Sequence, residues 1–248
     1  MVSKIPILVM AACCLSCGRT AKTPAKNDSS VLDPLVARPE LTLVFSGDVM
    51  QHLPQVEAAR QPDGSFDYTS CFRYIRPFWE SADFAIVNLE TTLAEKGPYS
   101  GYPRFASPKT LAAALKEAEV DVAVLANNHC CDRGASGIRT TVRTLDSLRM
   151  LHAGVYVDSA SARRPLILEK EGFRVALLNA TYGTNGLPVP KGTVVHLTDT
   201  VCLEEQLRAA RRDSATHIVL FVHWGEEYRR SPNEEQRRLA AWCRPLCF

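Results

Sequence analysis

Four short segments of this chain carry the oxygen and nitrogen donors that divalent metals take: Ser46-Gly47-Asp48, Asn88-Leu89-Glu90, Asn127-Asn128-His129 and His223-Trp224-Gly225. Asp48 and Glu90 offer carboxylates, Asn128 an amide oxygen and His223 an imidazole, a set that suits ions such as Zn, Mn or Fe. A dinuclear centre, its ions about 3.5–4 Å apart, needs a bridging carboxylate and separate ligands for each ion. His129, next to Asn128 in the chain, is placed to protonate a leaving group. Singly, each residue has an ordinary explanation. An Asp after a strand caps turns and helices, and Asn-Asn-His reads equally as a polar loop.

The elements around these segments give them weight. Residues 41–45, 82–87, 120–125 and 217–222 are short, nearly continuous apolar runs, each followed by one of the four segments. Between them lie helical patterns: aromatics spaced over 71–81, a helix over 108–118 with Ser107 as N-cap and Pro108 at its first position, and helices over 137–150 and 201–212. Residues 166–170 and 173–181 flank Glu171-Gly172 as a β-hairpin, and a last helix begins near Pro232-Asn233. Apolar strands alternating with amphipathic helices predict an α/β fold with its sheet covered on both faces. Ligands bind such sheets at the carboxyl ends of the strands, so the four segments are expected to converge on one crevice.

At 248 residues the chain holds one large α/β domain or two small ones. The 29 basic and 27 acidic residues leave a net +2, and the paired arginines are scattered. No basic footprint for nucleic acid results, and no Walker-type glycine loop marks a nucleotide-dependent ligase.

The N-terminus reads as an export signal. Lys4 precedes an apolar run over 5–15 that is too short to span a bilayer. Ser16-Cys17-Gly18 then resembles a lipobox, with Cys17 the residue to be lipidated and Cys13 its competitor. The divisions expected are a lipoprotein signal over 1–17, a flexible tether over 18–39 and a folded domain over 40–248. Export admits disulfides, but the remaining cysteines match no zinc or redox spacing, and their pairing is open.

In order and spacing, Ser46-Gly47-Asp48-Val49-Met50, Asn88-Leu89-Glu90, Ala126-Asn127-Asn128-His129 with Asp132 and Gly134, and His223-Trp224-Gly225-Glu226-Glu227-Tyr228 resemble the CapA-type family of poly-γ-glutamate capsule biosynthesis proteins. Pro232 and Gln236 also fall where that family has a proline and a glutamine. The family is related to calcineurin-like metallophosphoesterases, and the resemblance implies a four-layer α/β/β/α sandwich with two divalent ions (Mn, Fe or Zn) at the strand ends. It makes Asp48, Glu90, Asn128 and His223 the ligands, and His129 the acid or transition-state stabiliser. Asn88 and Glu227 fall in the same motifs as supporting or substrate-facing residues. Asp132 either holds His129 or begins the turn to Gly134, and His52 either lines the pocket or decorates a surface loop. Tyr102, Arg104 and Tyr228 are substrate-gripping by position alone. The family continues with a further strand and a Gly-x-His-Pro-His-type segment. Here the last helix meets Pro245, so the domain is expected to be C-terminally incomplete. The function implied is a lipid-anchored, metal-dependent hydrolase of the cell envelope, acting in capsule polymer synthesis or export. Its partners would be an anionic polymer or phosphate-containing substrate, other capsule-assembly proteins and the membrane. The alternative is a non-catalytic polymer-binding or scaffold subunit.

Overall fold

A computed structural model describes residues 39–244, so the export signal, Cys17, Cys13, all but the last residue of the tether, and Pro245 lie outside the described residues. In chain order the elements are β1 (Leu43–Val49), α1 (Leu53–Ala59), α2 (Arg76–Glu80), β2 (Phe84–Leu89), β3 (Leu93–Ala94), β4 (Ser107–Pro108), α3 (Thr110–Glu117) and β5 (Val122–Val124). There follow α4 (Gly134–Ser147), β6 (Leu151–Ala153), β7 (Val155–Tyr156), α5 (Ser159–Ala162), β8 (Leu166–Lys170), β9 (Phe173–Thr181), β10 (Val194–Val195), α6 (Thr200–Arg212), β11 (His217–His223) and α7 (Glu234–Cys243).

The expected α/β class holds, with a parallel main sheet. Strands β1-β2-β5-β6 form it, every neighbour parallel. A second sheet, β11-β9-β8, pairs β11 parallel and β8 antiparallel to β9. The β8–β9 hairpin turns at Glu171-Gly172, as the sequence predicted.

Strand periodicity decides which side chains meet. On β2, Ala85, Val87 and Leu89 pack towards α2, α3 and α4, with Trp79, Leu115, Ile138 and Leu145. Ile86 faces the other way, where Val122 and Val124 of β5 meet Leu168, Val175, Leu177 and Phe221 of the second sheet. The outer face of that sheet, Ala176 and Leu178, packs on Ala210 of α6, and Ala180 lies with Leu203 and Leu239 of α6 and α7. Extending each alternation to the strand end puts Asn88, Asn179 and His223 on the faces that the two sheets turn to each other. Asp48 joins them through an irregularity. The β1–β2 register pairs Phe45 with Ile86 but Asp48, not residue 47, with Asn88. The extra residue inverts the alternation, as a bulge does, and aims the carboxylate into the space between the sheets.

Four local expectations are corrected. The first strand does not stop at residue 45 but runs on through Asp48 to Val49. The stretch 71–81 is no single helix: a 3₁₀ turn at Thr69–Phe72 gives way to α2 (Arg76–Glu80), which starts around Pro77, a residue suited only to a first helical turn. Ser107 does not cap α3, whose N-cap is Lys109. Its hydroxyl bonds Thr91 Oγ1 at 2.8 Å and its N–H donates to Thr92 O, because Ser107 and Pro108 pair with β3 instead. Helix α4 also begins earlier than expected, at Gly134.

Candidate metal centre

Donor atoms of Asp48, Glu90 and His223 lie within 4.8 Å of one another, the cluster of this kind found among the described residues. Asp48 is the penultimate residue of the bulged β1, Glu90 follows β2 and its N–H donates to Val49 O, and His223 closes β11. His223 Nδ1 is 3.9 Å from Asp48 Oδ1, and its Nε2 is 3.8 Å from Glu90 Oε1. Asn128 adds a fourth donor, its Oδ1 3.0 Å from His223 Nε2. The four residues named from the sequence therefore stand together, drawn from both sheets.

The electrostatics ask for a cation. Glu90 is buried, and its Oε2 has no hydrogen-bond partner. Burial first, then the neighbouring Asp48 carboxylate, pushes its carboxyl up to about 9. Burial also lowers His223 below the usual imidazole value, against the pull of Asp48, which favours the neutral ring that ligates metals. An orphaned buried carboxylate oxygen beside a second carboxylate, an imidazole and an amide oxygen fits a divalent ion.

The surroundings are built from amides. Asn88, fully buried, donates through Nδ2 to Asp48 Oδ1 at 2.8 Å and lies 3.3 Å from His223 Nδ1. Asn127 donates to Asn88 Oδ1 and Leu89 O and accepts from the His129 N–H, pinning the 127–129 loop to β2. Buried His129 stands beside this cluster. Its Nδ1 is 2.8 Å from Asp132 Oδ2, which also accepts from the Phe105 N–H at 2.7 Å, and the Phe105 ring meets the imidazole edge to face. Of the two readings open for Asp132, the geometry carries the contact with His129.

These groups floor a cleft of about 1310 Å³ that opens to solvent. His52 lies at its side, exposed, its ring 5.4 Å from that of Phe105 and its N–H bonded to Gln55, so it is not with the metal donors. Glu227, Tyr102, Arg104 and Tyr228 are exposed on the cleft wall, and the Glu227 charge contributes to raising Glu90. Gln236 serves the backbone: its side chain and that of Asn233 form the capping box of α7. Tyr182 was not singled out in the sequence; its ring stacks over His223, centroids 6.1 Å apart. Nor was Asn179, which joins the sheets beneath the site. Its Oδ1 accepts from Leu125 and Ala126 N–H, and its Nδ2 donates to Phe221 O.

Among known proteins the chain is similar to the capsule biosynthesis protein CapA of Bacillus anthracis, 26% identical over 211 residues, which cover 81% of this chain and 50% of that protein. It is also similar to the PGA biosynthesis protein CapA of Bacillus subtilis (strain 168), 25% identical over 205 residues, covering 81% of this chain and 53% of the relative. The chain thus spans about half the length of these two relatives. A Sinorhizobium fredii protein, y4sH, is 32% identical over 115 residues, covering 44% of this chain and 25% of that protein. The family model described as bacterial capsule synthesis protein PGA_cap matches residues 42–244, and the chain belongs to that family.

Proposed function

We propose that this protein is a metal-dependent hydrolase of the metallophosphoesterase type, acting in the synthesis or export of a capsule polymer such as poly-γ-glutamate. One observation carries the reading: Asp48, Glu90, Asn128 and His223, from four strand ends in two sheets, turn their donor atoms to one point at the floor of an open cleft. When bound, divalent ions supply Lewis acidity and a nucleophile at neutral pH. Two ions are proposed, which Asp48, Glu90, Asn128 and His223 would hold. Asp132 holds the His129 ring by Nδ1, which leaves Nε2, 3.4 Å from Asn185 Nδ2, as the nitrogen that would take up a proton and pass it to a leaving group. The packing of α2–α4, the main sheet, the second sheet and α6–α7 in succession supports a four-layer α/β/β/α sandwich. The names of the CapA relatives support the polymer and an envelope setting. Lipidation at Cys17, with residues 18–39 as a tether, completes the proposal; no helix among the described residues is long and apolar enough to cross a membrane.

A second reading, a polymer-binding subunit without turnover, draws on the exposed rim of Tyr102, Arg104, Tyr228 and Arg230. The experiment that separates the two uses the full chain with Mn²⁺, a chromogenic phosphodiester and labelled poly-γ-glutamate. Turnover abolished by Glu90→Ala is expected. Absence of turnover, with polymer binding that survives both Glu90→Ala and His129→Ala, would favour the binding subunit.

A further inference from the structure

Asn185 bridges the side chains of the two halves of the site, metal donors on one side and His129 with Asp132 on the other. Asn185 Oδ1 accepts from Asn128 Nδ2 at 3.2 Å, and Asn185 Nδ2 lies 3.4 Å from His129 Nε2. The donors run one way without conflict. With the His129 proton on Nδ1 towards Asp132, Nε2 accepts from Asn185, and Asn128 donates to Asn185. His223 Nε2 then faces Asn128 Oδ1, and Asn88 faces both His223 Nδ1 and Asp48.

We propose that Asn185 is a positioning residue: by holding the NH₂ of Asn128 it turns the Asn128 carbonyl oxygen towards Asp48, Glu90 and His223. A primary amide has two nearly isosteric orientations. Only one presents an oxygen to a cation, and the other would aim two N–H groups at it. The Asn128 nitrogen donates to Asn185 Oδ1 and also approaches the Tyr182 hydroxyl, while its oxygen meets His223 Nε2, so the Asn185 contact favours the productive orientation. The turn that carries Asn185 is itself fixed. Leu187 N–H donates to Thr184 O, Thr184 Oγ1 donates to Leu187 O at 2.6 Å, and Asn185 sits at φ 51°, a backbone conformation that asparagine tolerates and glycine adopts freely.

This inference rests on the metal reading of the site and predicts a specific dependence within it. Asn185→Gly removes the side chain while keeping the turn. In the full chain, Mn²⁺ affinity measured by titration calorimetry is expected to fall about 10–100-fold, the usual scale for losing a partner that orients a ligand. The same change made in an Asn128→Asp background is expected to cost less than about threefold, because a carboxylate offers oxygen whichever way it turns. Equal losses in both backgrounds would assign Asn185 to general structure and overturn the proposal. So would an Asn185→Gly chain that binds Mn²⁺ as tightly as wild type. A wild-type chain that binds no Mn²⁺ would instead sink the metal reading beneath it.

Discussion

The side-chain oxygen of Asn179 occupies the space that a β-carbon on Gly154 would need. That carbon would also stand 2.8 Å from the Ala126 nitrogen, with Gly154 already at φ 95°. The close approach lets β9 of the second sheet bond the end of β5 in the first, through Asn179 to Ala126 N–H at 2.6 Å. Two residues further along lie Asn128 and, across the gap, His223. The contact therefore sets the distance at which the two sheets present their donors.

Gly154→Ala should accordingly destabilise the chain by about 3 kcal/mol or more, through overlap and a strained φ together. Asn179→Ala should cost about 1–3 kcal/mol, since it strands the buried Ala126 N–H. Urea unfolding of the singles and the double tests the link. The double loss should fall short of the sum by more than about 0.5 kcal/mol, and strict additivity would deny the contact its role.

Glu90 gives the metal-free chain an unusual pH dependence. Its folded value, about 9, lies above the ordinary 4.5, so between these the folded chain holds a proton that the unfolded chain releases. This group's contribution is then fully favourable below pH 4.5 and is lost as pH rises towards 9. Glu90→Gln should flatten that slope and raise the stability of the metal-free chain near pH 7 by on the order of 3 kcal/mol. Thermal unfolding across pH with a chelator present checks it; an unchanged slope would mean that Glu90 is ionised without cost.

His129 should separate from the metal donors in its effect. His129→Ala is expected to keep Mn²⁺ affinity within a few-fold while lowering phosphodiester turnover by about 10²–10⁴. Asp132→Asn should lower turnover less, because an amide oxygen still accepts from the imidazole and the Phe105 N–H. Single-turnover kinetics beside calorimetry distinguish these outcomes from loss of the ion.

Much of this site was legible because donors at strand ends follow the local grammar of the chain. Asp48, Glu90, Asn128 and His223 each sit one to three residues past an apolar run. The bulge that aims Asp48 inward was hidden, since β1 reads as one strand whether or not a residue is extra. Asn179 was missed for a different reason. A lone asparagine inside 173–181 shows no period, and its partners are 42 to 54 residues away in sequence. Asn185 was masked by an Asn-Gly pair that already explains a turn. Ser107-Pro108 misled in the opposite sense: the capping signal was real, but the hydroxyl was taken by Thr91.

The most direct test of the central claim is metal content. The full 248-residue chain, purified and dialysed against Mn²⁺, should retain at least one ion per chain by elemental analysis. Asp48→Ala and Glu90→Ala should each lose it while their circular dichroism stays that of the wild type. Full occupancy in both variants would contradict the assignment of these strand ends as a metal centre.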